Sequence, residues 1–165
     1  MSPQDKNLQN QDLQDKPDPG ASACFATAAR KASRRLTQLY DDAMESCGLR
    51  STQYAILAQL DARSEDPPTL AVLADALVLD RSALGHNLRP LERDGLLAIV
   101  AGKEDRRQRH IVLTPKGRAK YREGRALWRS VQKRFADVYG ADEAAALRVG
   151  LLRIAYDDRL GTLKD

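Results

Sequence analysis

The side chains most suited to chemistry in this sequence lie between residues 80 and 110, and they suit recognition rather than catalysis. Four polar or basic residues fall close together: Arg81, Ser82, His86 and Arg89. A serine hydroxyl can bond a phosphate or a base edge, and an arginine can hold guanine through two hydrogen bonds. A second cluster follows at Asp105, Arg106 and Arg107. These residue types favour double-stranded DNA as a partner.

Residues 80–95 carry the markers of a helix that could present the first cluster. Asp80 can accept hydrogen bonds from the free N–H groups of a first helical turn, and Gly95 can adopt the left-handed conformation that ends a helix. Between them Leu84, Leu88 and Leu91 recur at intervals of four and three, which predicts one buried stripe. The polar residues fall on the opposite face. By itself, this pattern fits a solvated surface helix equally well.

Two short runs rich in β-branched residues, 96–100 and 110–113, follow the helix and predict a β-hairpin. The residues between them contain a turn glycine and four cations. Crowded like charges are costly as pure structure, but a narrow minor groove attracts arginine. The hairpin therefore favours DNA recognition over a solvated surface, with Arg106 and Arg107 as the minor-groove contacts.

Over nearly all of the chain after residue 20, the sequence resembles the multiple-antibiotic-resistance regulators (MarR family). Four segments carry the resemblance: 80–84, 88–97, 105–107 and 113–117. It implies an obligate homodimer, a pseudo-palindromic operator, and release of DNA when a small molecule or an oxidant acts on the dimer. Ser82, His86 and Arg89 correspond to the major-groove readers. His86 departs from the family, where larger or charged residues often stand, so the operator sequence cannot be transferred.

The predicted fold class is mostly α with a small β-hairpin wing, a winged helix-turn-helix plus an α-helical dimerisation region. Residues 1–20, polar and acidic, predict a disordered tail. Residues 48–114 are the predicted DNA-binding domain, and 21–47 with 115–165 the dimerisation region. The resemblance implies that the core of this region is intertwined between two protomers.

Start and stop signals place the remaining helices. The first runs to about Glu45, and Ser51 is predicted to cap the second. Thr69 caps a short third helix, and Thr114 caps a long one that ends at Gly140. The final helix is predicted to run to about Arg159, and four residues form its apolar stripe: Leu147, Leu151, Ile154 and Ala155.

Composition excludes several other classes. The chain has 165 residues and a net charge of +4, and its sequence pI is about 9.2; this favours a polyanionic partner. Its two histidines, His86 and His110, its two cysteines and the absence of a glycine-rich phosphate loop predict no catalysis, no metal and no cofactor. No apolar run approaches membrane-spanning length and the N-terminus lacks the basic-then-apolar order of a signal peptide, so a cytoplasmic protein without a membrane partner is expected.

Two kinds of signal could release the DNA. The resemblance places a small organic effector between the dimer helices and the DNA-reading motif, where Arg34, Tyr40, Tyr54 and Trp128 could supply aromatic walls and a cation. The alternative is peroxide sensing by Cys24, because residues 24–40 resemble the organic-hydroperoxide regulators of the same family. The match there is displaced by two residues, which favours a buried or inert cysteine. A protein-interaction module that binds no DNA is the last alternative.

Overall fold

The computed structural model describes residues 24–102 and 105–161, which form seven helices and one two-stranded hairpin. The helices are α1 (Phe25–Met44), α2 (Ser51–Ala62), α3 (Leu70–Leu77), α4 (Arg81–Arg93), α5 (Pro115–Tyr139), α6 (Ala141–Ala155) and α7 (Asp158–Gly161). The strands are β1 (Leu97–Ala101) and β2 (Arg109–Leu113), and a 3-10 turn, Glu45–Cys47, follows α1. The predicted fold class is confirmed. The tail predicted for residues 1–20 lies outside the described residues.

The chain divides into two compact units, one ending at Gln38 and the other beginning at Leu39. In the first unit, the described residues are the N-terminal part of α1, where only Thr27 and Leu36 are partly buried. The second unit contains the other elements and the hydrophobic core. The N-terminal part of α1 therefore has almost no core of its own.

The leucine stripe of α4 is buried, as predicted. Leu84, Leu88 and Leu91 are each at most 3% exposed. They pack with buried side chains of α2 and α3, among them Ile56 and Leu73. Because a fully buried leucine contributes about 1.5–3 kcal/mol, this contact fixes which face of α4 points to the solvent.

The predicted caps of three helices are confirmed. The Thr69 hydroxyl accepts from the Val72 N–H at 3.4 Å, and the Asp80 carboxylate accepts from the Ala83 N–H at 2.7 Å. At the start of α5 the Thr114 hydroxyl accepts from the Gly117 N–H at 3.0 Å, with Pro115 as the first helical residue. These bonds satisfy donors that a first helical turn leaves free.

The start of α2 differs from the prediction, because Ser51 is the first helical residue rather than the cap. Its backbone N–H and its hydroxyl both donate to the Asp41 carboxylate of α1, at 2.7 and 2.6 Å. A carboxylate is a stronger acceptor than a hydroxyl, so Asp41 takes over the capping. Burial raises the pKa of Asp41, but the hydrogen bonds from Ser51 and Arg50 outweigh it and hold the pKa below its ordinary value.

The predicted final helix is interrupted. α6 ends at Ala155, and Tyr156 and Asp157 separate it from α7. The Asp157 carboxylate accepts from the Arg159 N–H at 3.1 Å, so it starts a new helical turn instead of continuing the old one. The predicted stripe of α6 is not buried within the chain: none of its residues is buried, and Ile154 is 64% exposed.

Val78, which ends α3, has a left-handed backbone, with φ +52° and ψ +45°. A β-branched residue is unfavourable there, because its Cβ approaches the following carbonyl oxygen. The left-handed backbone of Val78 therefore destabilises the turn between α3 and α4. The packing of the two helices offsets this loss of stability.

Candidate nucleic-acid interface

The solvent face of α4 carries the four residues that the sequence singled out, all exposed: Arg81, Ser82, His86 and Arg89. Their side chains make no hydrogen bond or ion pair with the described residues. Gly85 lies among them, and a Cβ there would meet no atom within 4 Å. The packing thus requires no side chain at Gly85. Without one, a ligand can approach the backbone of α4 closely on this face.

The hairpin formed by β1, β2 and the tip between them is called the wing (residues 97–113). Its strands pair antiparallel, from Leu97 opposite Leu113 to Ala101 opposite Arg109. The Asp105 carboxylate accepts from the Arg107 N–H at 2.9 Å, and the Asp105 carbonyl oxygen accepts from the Gln108 N–H at 3.1 Å. Asp105, predicted as a DNA contact, thus shapes the turn in this structure.

The two arginines that follow Asp105 are displayed by this turn. Arg106 and Arg107 are both exposed, and neither side chain bonds to the described residues. Like the arginines of α4, they are available to a partner with many negative charges.

The segment Leu113–Gly117 attaches the wing to α4. The Thr114 hydroxyl donates to the Gly95 carbonyl oxygen at 2.7 Å, and the Thr114 N–H donates to that of Leu96 at 3.1 Å. Lys116, which the sequence analysis did not single out, donates to the Asp94 carbonyl oxygen at 2.7 Å. The end of α4, the wing and the start of α5 are therefore joined at one turn, where Gly95 has φ +70°.

Two of the predicted effector residues come together in an aromatic stack. The ring of Tyr54 lies 6.3 Å from that of Trp128 and 5.7 Å from that of Tyr121, measured between centroids. Gly124 makes room for it, since a Cβ there would lie 3.0 Å from the Tyr54 ring. Tyr121 was missed, although its spacing of seven from Trp128 puts both on one face of α5.

Burial is the main influence on the pKa of Tyr54, the ring at the centre of this stack. It raises the pKa of Tyr54 to about 12, with Tyr121 adding to the effect, while Arg125 and Arg129 oppose it. Both arginines are exposed. Tyr54 itself is only 7% exposed, whereas the two rings stacked on it are half-buried. The other two predicted effector residues lie on α1. Burial raises the pKa of Tyr40, and Arg34 belongs to the first compact unit.

Cys24 is exposed, so of the expected buried or inert cysteine the buried part is wrong. It lies just before the first residue of α1. The Thr27 backbone, the Thr27 side chain and the Ala26 backbone donate hydrogen bonds to it and lower the pKa of its thiol. Cys47, by contrast, is buried and donates to the Met44 carbonyl oxygen at 3.1 Å.

Among residues 24–102 and 105–161, no three histidine, cysteine, aspartate or glutamate side chains are grouped to hold a metal ion. Within the same ranges, no helix combines the length and the apolar character needed to cross a membrane.

Comparisons with known proteins agree with this arrangement. A helix-turn-helix domain model matches residues 49–100, while no curated protein sequence matches the chain. The chain is similar to the M. tuberculosis transcriptional regulator MosR, solved in complex with DNA. The two share 32% identity at a TM-score of 0.74, over 85% of this chain and 99% of that one.

A second similar structure is the transcriptional repressor CouR bound to a 23-mer DNA duplex, at 26% identity and a TM-score of 0.76, over 84% of this chain and 97% of that one. CouR from Rhodococcus jostii is also solved with p-coumaroyl-CoA. A Rhodococcus regulator described as a MarR-family protein has the same fold, at 19% identity and a TM-score of 0.70, over 82% of this chain and 96% of that one. With its helix-turn-helix, its arginine-tipped wing and nearly full-length likeness to MosR, the chain belongs to the MarR family of transcriptional regulators.

Proposed function

We propose that this protein is a sequence-specific transcriptional repressor that binds a pseudo-palindromic operator as a homodimer and is released by a small organic ligand. One observation carries the DNA-binding part. The buried face of α4 is a leucine stripe, and its opposite face is exposed, polar and without partners in the described chain. Such a helix presents donors for base edges and phosphates at no cost to the core.

Each element has a defined role in this proposal. Ser82, His86 and Arg89 reach base edges in the major groove, and Arg81 at the start of α4 binds phosphate. Arg106 and Arg107 enter the flanking minor groove, in the geometry that Asp105 imposes on the tip.

The operator test is selection of bound duplexes from a random pool, followed by affinity measurements on the recovered sequence. Replacing Ser82 or Arg89 with alanine should weaken binding and relax base preference by about 1–3 kcal/mol per lost contact. Replacing Arg106 or Arg107 should weaken binding and reduce its salt dependence, since each phosphate neutralised contributes about 0.9 to the log–log slope. Unchanged affinity in all four folded variants would refute the assignment.

The exposed apolar side chains of α6 support the homodimer. Leu151, Leu152 and Ile154 are 40 to 64% exposed, and Val138 near the end of α5 is 82% exposed. Several exposed large apolar side chains on neighbouring helices favour a partner, and a second copy would place two α4 helices on half-sites about 10 base pairs apart. Sedimentation at low micromolar concentration should show a dimer and no folded monomer on dilution, and Ile154→Asp should destabilise the dimer and the fold together. A stable wild-type monomer would contradict the proposal.

The stack of Tyr54, Tyr121 and Trp128, with Arg125 and Arg129 beside it, supports an aromatic or acidic effector. CouR, a relative with this fold, binds p-coumaroyl-CoA. A coupling of about 1–3 kcal/mol would loosen DNA by about 5- to 150-fold. The test is quenching of Trp128 fluorescence by candidate aromatic acids, matched to release of the operator. Quenching without release would assign the stack to ligand binding alone.

A second candidate, peroxide sensing, is favoured by the exposure and the lowered thiol pKa of Cys24, because the thiolate is the reactive form. Peroxide is the test compound and Cys24→Ser the matched variant. If peroxide releases the wild type while Cys24→Ser stays bound, Cys24 is the sensor. If both stay bound, peroxide is not the signal, and the screen of organic effectors read through Trp128 fluorescence is the next measurement.

A further inference from the structure

We propose that His110 is a positioning residue, which fixes the wing against the loop before α3 and so holds Arg106 and Arg107 in place for the minor groove. The proposal rests on the proposed function, because it requires the wing to contact DNA. His110 is the second residue of β2 and half-buried, and it pairs with Val100 across the hairpin.

Two hydrogen bonds join this part of β2 to the loop before α3. Nδ1 of His110 lies 2.6 Å from the Pro67 carbonyl oxygen. A carbonyl oxygen only accepts, so Nδ1 carries the hydrogen, which fixes the tautomer of the neutral ring. The Ile111 N–H donates to the Pro68 carbonyl oxygen at 2.9 Å, and this bond makes Thr69 and His110 an antiparallel β-bridge pair. The wing is thus attached to the chain that enters α3.

The loop before α3, which His110 contacts, has a rigid backbone. Each proline has a fixed φ and no N–H group, so Pro67 and Pro68 offer carbonyl oxygens from a segment with little freedom of its own. Thr69 follows directly and caps α3. The position of α3 in the core therefore determines where the His110 ring is held.

On its other side, the ring lies against the base of the wing tip. A Cβ at Gly102 would be 3.2 Å from Nε2 of His110 and 2.5 Å from the Asp105 carbonyl oxygen. Gly102 is buried, and its N–H donates to the Gln108 carbonyl oxygen at 2.9 Å. The ring thus occupies the space between the proline loop and the residues that close the tip.

The arginines of the tip depend on this support, because neither Arg106 nor Arg107 has a side-chain bond to the described chain. Their positions follow from the backbone of the tip alone. Without the bond from His110 to Pro67, the tip would keep its turn but lose one of its connections to the core, so ordering it on DNA would cost more.

A double-mutant cycle on the selected operator duplex tests the proposal by fluorescence anisotropy. His110→Leu should weaken binding about 3- to 10-fold, the effect of one hydrogen bond. His110→Asn, whose amide N–H can replace that of Nδ1, should stay within about 2-fold of wild type. With Arg106 and Arg107 both replaced by alanine, His110→Leu should add less than about 2-fold. If the leucine variant does not fold, His110→Gln replaces it, because its donor lies too far out for Pro67.

The outcomes separate the two proposals. If the arginine variant binds like wild type, the wing does not contact DNA and the proposed function loses that element. If the arginine variant binds weakly but His110→Leu costs the same in both backgrounds, His110 acts elsewhere and the positioning role is overturned. Amide exchange without DNA gives an independent measure: the Ile111 N–H should exchange faster in His110→Leu. Unchanged exchange would also overturn the proposal.

Discussion

Gly117, in the first turn of α5, is the position where a single added carbon should cost most. A Cβ there would lie 1.8 Å from the Leu96 carbonyl oxygen and 2.8 Å from its carbonyl carbon. Even a close C–H···O contact places carbon and oxygen about 3.3 Å apart, so the first turn of α5 and Leu96, just before the wing, would have to separate by about 1.5 Å. The obstacle is backbone, which cannot move aside as a side chain can.

A separation of this size would break bonds at the same turn. The bonds from Thr114 to Gly95 and Leu96 are 2.7 and 3.1 Å long, and each contributes about 0.5–1.5 kcal/mol. Overpacking adds about 1–3 kcal/mol. We therefore expect Gly117→Ala to lower the free energy of unfolding by about 3 kcal/mol or more.

Gly85→Ala is the matched control, because a Cβ at that helical position meets nothing within 4 Å. It should raise the free energy of unfolding by about 0.5–1 kcal/mol, as alanine favours a helix interior over glycine. It should also weaken operator binding, since the added methyl group would lie between the backbone of α4 and the DNA. Guanidinium denaturation followed by circular dichroism measures both variants at one protein concentration. If Gly117→Ala is as stable as wild type while Gly85→Ala gains stability, the Leu96 carbonyl is not the constraint.

Three further substitutions test the local arguments by the same denaturation assay. Val78→Asn should raise the free energy of unfolding by about 0.5 kcal/mol, since asparagine tolerates the left-handed backbone; a loss would contradict the strain. Asp41→Asn should lower it by about 1 kcal/mol, the effect of a cap. Because the pKa of Asp41 is lowered in the folded state, this difference should hold above about pH 4 and shrink at lower pH; a difference that grows there would have the wrong sign. Gly124→Ala should cost about 1–2 kcal/mol, less than Gly117→Ala, because its neighbour Tyr54 can shift.

The sequence predicted the features that depend on neighbouring residues. The caps at Thr69, Asp80 and Thr114 and the leucine stripe of α4 are set within one or two turns, so a residue's type and spacing identify them. Ser51 was misjudged because the group that outcompetes it, Asp41, lies ten residues away on another helix. The spacing in sequence gives no sign that the two side chains meet.

The candidate DNA-binding site also combines features set by neighbouring residues with contacts between residues that are distant in sequence. Exposure of the α4 arginines was predictable, because it is the complement of the stripe. The bond from His110 to Pro67 spans 43 residues and requires the folded sheet. The end of α6 was missed for a different reason: apolar residues continue at helical spacing to Leu160, but Asp157 bonds to its own neighbouring backbone and ends the helix first.

The length of α5 has a mechanical consequence. Its 25 residues at about 1.5 Å each form a rod of about 37 Å, which begins at the turn holding the wing and ends one residue before α6, the helix whose apolar side chains are exposed. A tilt of about 5° at one end displaces the other by about 3 Å, close to the roughly 3.4 Å rise of one base pair. If the wing arginines lie in the minor groove as proposed, a tilt of this size at the far end of α5 would move them by about one base-pair step of the duplex.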